Sequence, residues 1–293
     1  MNNQPIASKD IEKAAYDILK QSKAFGVYPT PVDQIVRFSD LTVDAGGSFH
    51  NIPNHFISKQ IDQARRLVTK IFGAMDRRKK IIYLNPSLLE VKRNFVKLHE
   101  VGHDRLPWQK ATFDYIEDEK TLCAETKEVF EAEANFFASA VLFQMERFDD
   151  LAGTLPLEIK SARYLSKHFG SSVHAAIRRY VLTINKRCAL LVLNTDPKNR
   201  QTLSMRDYFQ SPLFTREFGE ISLPGQFDLA WPFVQDYFIG KVAIDAPAPL
   251  PLTFDNDTHD FEYQYFYNRW NVFVFIMPKG EKIKSRTSII IGA

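Results

Sequence analysis

The segment FVKLHEVGHD, residues 95–104, carries His99 and His103 four positions apart, with Glu100 directly after the first histidine. On an α-helix, side chains at positions i and i+4 lie on the same face, roughly 6 Å apart. Two imidazoles at this spacing can bind one cation at zinc–nitrogen distances of about 2.0–2.1 Å. Glu100 lies one step round the helix, where its carboxylate can reach a water molecule instead of the metal. This HExxH pattern is typical of metalloproteases in which the glutamate is the general base.

A short pattern can also arise by chance, so the flanking sequence has to support it. The β-branched run KIIYLN predicts a strand over residues 80–85. Asn85 and Pro86 then suit the N-cap and first position of a helix, and Pro107 prevents that helix from continuing. Gly102 inside the motif indicates close packing, because glycine is unfavourable in a helix interior. The alternative is a helix with two histidines on its surface and no metal.

A catalytic zinc ion usually has three protein ligands and one open position. A second helix, predicted over residues 126–148, offers Glu131 as the third ligand, 28 residues after His103. Asn135 lies on the same face and can hydrogen-bond a ligand imidazole. Glu133 is the competitor, but it points to another side of the helix, so we predict a surface carboxylate there. Zn²⁺ is the predicted metal, although two imidazoles and a carboxylate also accept Mn²⁺ or another divalent ion. No residue is assigned to stabilise the oxyanion.

Two motifs in this chain, LHEVGHD and EAEANFFA (residues 131–138), resemble the ImmA/IrrE metallopeptidase family. That family has HExGH followed by E-x-x-A-N-x-F-A on a later helix, and the resemblance covers about residues 10–185. It implies a zincin-like metallo-endopeptidase of the HExxH gluzincin-like type. It also implies a protein substrate, namely a cognate helix-turn-helix transcriptional repressor whose cleavage releases genes of a stress response or mobile element. The layout with an extra C-terminal region is similar to the radiation-response branch of the family.

The elements that must position these residues predict an α+β fold in three parts. We predict a mostly helical peptidase domain with a small sheet over residues 1–150, a helix-turn-helix-like segment over residues 151–188 and a strand-rich domain over residues 189–293. The resemblance implies a zincin-like fold for the first part and a sensor or regulatory role for the last. Within the first part we predict helices over residues 9–24 and 60–72 and a short helix after Pro31. The strand at residues 80–83 could hold substrate if its edge is open. Residues 104–125 are polar and acidic and predict a loop near the site.

Composition limits the other functions. The 293 residues carry a net charge of +3, which does not by itself indicate nucleic-acid binding. Only two cysteines occur, and no basic-then-apolar leader or apolar run of 18 residues is present, which predicts a cytoplasmic protein without a disulfide framework or membrane span. The oligomeric state is not predicted.

The sequence also supports two alternatives. The chain could be a non-catalytic metal-containing regulator that binds DNA or a repressor through SARYLSKHFGSSVHAAIRRY, residues 161–180. His174, Arg178 and Arg179 suit DNA contacts, whereas the apolar residues around them suit packing. Glu100 opposes this alternative, because a purely structural zinc site needs a fourth ligand and no general base. The aromatic residues at 261–275 could line a ligand pocket, but strand alternation predicts a β-rich core.

Overall fold

The computed structural model describes residues 5–44, 73–115, 123–195, 201–254 and 257–281. The chain divides into two compact units. The first comprises Met1–Phe148 and His168–Ser172, and the second comprises Asp149–Lys167 and Val173–Ala293. The mixed α+β class is confirmed, whereas the three-part domain division stays a prediction. The predicted helix over residues 60–72 lies outside the described residues. No helix in the described part of the chain is long and apolar enough to cross a membrane.

The elements from the N-terminus to the site are, in chain order, α1 (Ser8–Gln21), α2 (Val32–Phe38), β1 (Thr42–Asp44), β2 (Gly73–Asp76), β3 (Ile81–Leu84), α3 (Glu90–Arg105), α4 (Pro107–Tyr115) and α5 (Ala124–Phe143). The strands form a sheet in the order β1-β3-β2, with β3 parallel to β1 and antiparallel to β2. The idea that residues 80–83 form an open edge is therefore wrong. β1 lies about forty residues earlier in the chain, so its parallel pairing has no local sequence signal.

The active-site helix begins later than predicted. Asn85 does not cap it, because its side-chain Oδ1 accepts hydrogen bonds from the backbone N–H and hydroxyl of Ser87, at 3.0 and 2.7 Å. Such an Asx turn competes with helix formation. Residues 85–89 consequently form a turn, and α3 begins at Glu90 after an extended Leu89.

Residues 104–125 were expected to form a loop, but their described part includes the helix α4, Pro107–Tyr115. α3 ends at Arg105, and Leu106 is extended with a ψ of 114°, as expected for a residue that precedes proline. Pro107 then starts α4, where its missing N–H costs no hydrogen bond. The proline thus ends one helix and begins the next.

α5 begins near its predicted start and ends five residues before the predicted end at Phe148. Gln144 adopts a left-handed conformation, with a φ of 51°, and ends the helix. Its buried side chain accepts a hydrogen bond from the Gly26 backbone N–H at 2.7 Å and donates one to the Val27 carbonyl at 2.9 Å. These bonds to the segment after α1 compensate for the unfavourable backbone conformation at Gln144.

The remaining elements are α6 (Glu146–Thr154), α7 (Ile159–Phe169), α8 (Val173–Thr183), β4 (Ala189–Asn194), β5 (Leu203–Gln210), α9 (Pro212–Phe218), β6 (Gln226–Phe227), α10 (Pro232–Phe238), β7 (Ala243–Phe254), β8 (Asp257–Tyr267) and β9 (Asn271–Pro278). The strands form an antiparallel sheet in the order β6-β5-β4-β9-β8-β7. Phe261, Tyr263 and Tyr265 alternate along β8 into a buried core, in agreement with the core interpretation of these aromatic residues.

The proline-rich stretch APAPLPLTF lies within the edge strand β7. Pro251 is opposite Asp260, whose backbone carbonyl bonds to Lys279 on the other side of β8. The pair is therefore a non-hydrogen-bonded one, and the nitrogen of Pro251 faces away from β8. Pro249 shares this direction because strand geometry repeats every two residues. Prolines at these positions remove donors only from the outer edge, which blocks pairing with other strands.

Candidate metal centre

The site is built on α3 and α5, which pack closely in the first unit. Gly102 permits this approach. A Cβ atom at Gly102 would lie 3.0 Å from Cδ1 of Phe137 and 3.3 Å from Cα of Ala134. Gly102 thus has the packing role predicted for it, and the two helices that carry the predicted ligands face each other at short range.

His99, His103 and Glu131 present one donor atom each to a common point. The two Nε2 atoms are 3.0 Å apart, and the Glu131 carboxylate oxygens lie 3.2 Å from Nε2 of His99 and 3.6 Å from Nε2 of His103. Tetrahedral zinc with bonds of about 2.0–2.1 Å separates its ligand atoms by about 3.3–3.4 Å. The donor set and its spacing therefore fit a zinc ion with one coordination position left for a non-protein ligand.

The His99 ring is oriented by Asn135. The distance from Nδ1 of His99 to Oδ1 of Asn135 is 3.1 Å. An amide oxygen can only accept, so this contact places the proton of the neutral ring on Nδ1 and leaves the Nε2 lone pair for a metal. Asn135 is exposed, and it has the geometry of the contact predicted from its position four residues after Glu131.

The His103 ring is oriented by Gln109, a residue that sequence reasoning did not identify. Nδ1 of His103 lies 2.7 Å from Oε1 of Gln109, which is fully buried on α4. Nε2 of Gln109 donates to Glu133 Oε2 at 2.7 Å and to the Phe130 carbonyl at 3.1 Å. The helix α4, predicted as a loop, therefore supplies the contact that holds the second histidine.

Glu133 is not the predicted surface carboxylate. Its side chain is buried, at 5% exposure, and its Oε2 also accepts a hydrogen bond from Nε1 of Trp108 at 2.7 Å. Glu133 does point away from Glu131, as the helical spacing requires. That side of α5 is covered by α4, which is why the residue is buried instead of exposed.

Glu100 is 8% exposed and interacts electrostatically with both histidines. Burial raises the pKa of Glu100 above its usual range, and the nearby His103 and His99 oppose that rise. A carboxylate with a raised pKa is a better proton acceptor at neutral pH than an ordinary glutamate. Its environment is thus consistent with the general base predicted from its place in the motif.

The charges at the three donor residues are coupled. Hydrogen bonds to His103 and His99 hold the pKa of Glu131 well below its usual range. Burial alone would lower the pKa of His99, but the contacts with Glu131 and Glu100 outweigh it and raise that pKa. Glu131 is therefore ionised, which is the form that binds a cation.

In the segment considered for DNA binding, the basic residues of α8 contact other residues of the second unit. Nε2 of His174 lies 3.2 Å from Oδ2 of Asp207, and the Arg178 guanidinium lies 4.9 Å from the centre of the Phe209 ring. Arg179 pairs with Asp149 at 2.9 Å. These contacts disfavour α8 as a recognition helix, because its basic groups are held by neighbours in the same unit.

Comparison with known protein families finds a match that spans α3 and α5. Residues 60–180 match a peptidase family, and both helices that carry the cluster fall within the match. The family is described as the IrrE N-terminal-like domain, so the resemblance of this region to the ImmA/IrrE family is confirmed. Membership of a metallopeptidase family implies a divalent metal ion.

A solved structure described as a Mycobacterium tuberculosis transcriptional regulator has a similar fold. The TM-score is 0.53 at 13% identity, and the alignment covers 92% of this chain and 75% of that chain. At this identity the likeness concerns the fold alone. Among curated protein sequences, none matches this chain.

Proposed function

We propose that the protein is a zinc-dependent endopeptidase with a zincin-like catalytic domain. His99, His103 and Glu131 would hold the metal, and Glu100 would be the general base. The observation that carries this proposal is the convergence of two Nε2 atoms and one carboxylate within 3.0–3.6 Å of one another. Zn²⁺ is the proposed metal, and Mn²⁺ or another divalent ion has the same ligand preferences.

Zinc bound at this site would lower the pKa of a water molecule to about 7 and polarise the peptide carbonyl. Glu100 accepts the proton of the attacking water and then donates it to the leaving amine. Its burial beside the two histidines keeps it within the site and away from bulk solvent. His99 and His103 stay neutral in this scheme, with their protons on Nδ1.

The proposed substrate is one partner protein, a helix-turn-helix transcriptional repressor, which would be cut at a single site. Two observations support this regulatory role. The catalytic region belongs to the IrrE N-terminal-like family, and a structure with a similar fold is described as a transcriptional regulator. Cleavage of such a repressor in the cytoplasm would release the genes it controls.

The decisive variant is Glu100→Gln. It removes the base and leaves the three metal ligands, so it should bind zinc as the parent does and lose cleavage. Zinc content is measured by inductively coupled plasma mass spectrometry. Cleavage is measured by co-incubation with a purified repressor encoded beside the gene. A Glu100→Gln variant that cleaves at the parental rate would refute the mechanism.

The domain division at residues 150 and 188 is retained as part of this proposal. In it, the strand-rich region from residue 189 has a regulatory role outside the chemistry. Its sheet carries a dense aromatic core and none of the proposed ligands. Limited proteolysis followed by mass spectrometry would test whether cleavage concentrates near these two boundaries.

A further inference from the structure

We infer that Gln109 is a positioning residue that connects the buried carboxylate of Glu133 to His103 and thereby raises the metal affinity of the site. This inference rests on the metal site of the proposed function. It concerns a hydrogen-bonded chain of three side chains, from Glu133 through Gln109 to His103, which we call the relay. The relay joins α5 to α3 through α4.

The orientation of the Gln109 amide is set by its surroundings. The Phe130 carbonyl, 3.1 Å away, can only accept, so the atom of Gln109 that faces it must be the nitrogen. The same nitrogen donates to Glu133. The amide oxygen is left to face Nδ1 of His103, which must therefore carry the proton. No other assignment of the amide satisfies all three neighbours.

The tautomer of His103 follows from this orientation. With the proton on Nδ1, the lone pair is on Nε2, the atom that faces His99 and Glu131. A histidine that binds metal usually donates its other N–H to a carboxylate, carbonyl or water, and such a contact increases its basicity. Here the acceptor is an amide, and the carboxylate lies one step behind it.

Burial makes the relay stronger than a surface contact. Gln109 is fully buried, and Glu133 and His103 are each 5% exposed. Water competes weakly for hydrogen bonds in such surroundings, and neighbouring bonds polarise one another. Glu133 adds negative charge at the end of the relay, because its Oε2 accepts from both Gln109 and Trp108. The relay thus polarises the Nδ1–H bond of His103 and increases electron density at Nε2.

The two ligand histidines differ in this respect. Asn135, which contacts His99, is exposed and can be replaced by water. Gln109 cannot be replaced by water without opening the contact between α4 and α5. Loss of the relay is therefore expected to weaken metal binding more than loss of Asn135.

The test uses the full chain and zinc as the probe. Zinc affinity is measured by competition with a chromophoric chelator, and the His103 tautomer by long-range ¹H–¹⁵N NMR of the metal-free protein. Gln109→Met keeps the volume and removes the amide, so it should weaken zinc binding about 10–100-fold, the usual effect of losing such an outer contact. In the same variant the Nδ1–H signature of His103 should be lost.

The matched control is Gln144→Met. Gln144 is also a fully buried glutamine of the first unit with several hydrogen bonds, but it lies at the end of α5 and contacts residues 26–30. This variant should lose stability and keep the parental zinc affinity. A general loosening of the unit would instead weaken zinc binding equally in both variants, which would overturn the inference.

A reciprocal exchange tests the direction of the relay. Gln109→Glu places two carboxylates side by side and should weaken zinc binding. In the double variant Gln109→Glu/Glu133→Gln, the carboxylate accepts from His103 and the new amide donates to it, so affinity should recover part of what Gln109→Glu loses. Recovery is incomplete because the Phe130 carbonyl no longer has a donor at position 109. Failure of the double variant to recover affinity would overturn the relay.

The outcomes separate the inference from the proposed function. If the parent binds zinc and Gln109→Met binds it equally well, the relay is wrong and the metal site stands. If Gln109→Met weakens zinc binding as expected but the parent does not cleave the repressor, the relay stands and the proposed function is wrong.

Discussion

At the scale of single residues, the three proposed ligands are unequal. The two histidines are mostly buried on α3, whereas the Glu131 side chain is 51% exposed on α5. Glu131 also brings the only negative charge among the three donors, and it bridges the two helices. The site therefore depends most on the residue that solvent reaches most easily.

We expect Glu131→Ala to weaken zinc binding more than 100-fold. Loss of a contact to a ligand side chain usually weakens metal binding about 10–100-fold, and loss of a charged ligand itself should have a larger effect. Glu128→Ala is the matched control, since Glu128 is an exposed carboxylate one turn earlier on the same helix. Zinc affinity measured by chelator competition should separate the two variants. A Glu131→Ala protein with parental affinity would remove Glu131 from the ligand set.

The residues of the site that the sequence reveals are those with a regular spacing. His99, Glu100 and His103 lie within one short motif, and Glu131 and Asn135 share a helix face four residues apart. Gln109 and Glu133 have no such signal. The prediction of a surface carboxylate at Glu133 was wrong because the acidic composition of residues 104–125 indicates a loop. In the structure, α4 covers that side of α5.

At the scale of elements, the contact between α3 and α5 depends on one glycine. Gly102→Ala should cost stability, because overpacking costs about 1–3 kcal/mol and the gain in helix propensity returns at most about 1 kcal/mol. The new methyl group would press on Phe137 and on the backbone of Ala134. Urea unfolding should show the loss, and zinc affinity should fall because the two helices carry different ligands.

The control for this substitution is Gly153→Ala. Gly153 is exposed near the end of α6, and a Cβ atom there would meet nothing within 4 Å. The free energy of unfolding of the Gly153→Ala variant should equal that of the parent or exceed it by up to about 1 kcal/mol. If both variants lose the same stability, close packing is not the reason for glycine at position 102.

Helices and strands were easier to predict than their ends and partners. The spacing of Ile11, Ala15 and Ile18 predicts α1 correctly, because one apolar face is buried. The start of α3 was predicted too early because Asn85 suits both an N-cap and an Asx turn, and only the contact with Ser87 decides between them. The pairing of β3 with β1 depends on distant segments, so local patterns do not contain it.

At the scale of the whole molecule, each of the two units has its own buried core. The core of the first unit includes residues from α1, α3 and α5, and that of the second includes residues from β4, β8 and β9. The sequence predicts a strand-rich region over residues 189–293, where β4 to β9 lie, but not the order of these strands. β4 pairs with β9, about eighty residues later, in a register such as Leu190 with Phe275. Long-range pairing of this kind is decided by the complete core.

Metal removal should act on one unit only, because all the proposed ligands lie in Met1–Phe148. Free zinc at a thousand times its dissociation constant stabilises the folded state by about 4.1 kcal/mol, so chelation should lower the melting temperature of the first unit by about 10 °C. Differential scanning calorimetry with and without a chelator measures this shift. The second unit should melt at an unchanged temperature. The Glu131→Ala protein should show at most about a third of the parental chelator effect, because a site weakened 100-fold keeps about 1.4 kcal/mol of stabilisation at the same free zinc. Equal shifts in both transitions would contradict the assignment of the metal to the first unit.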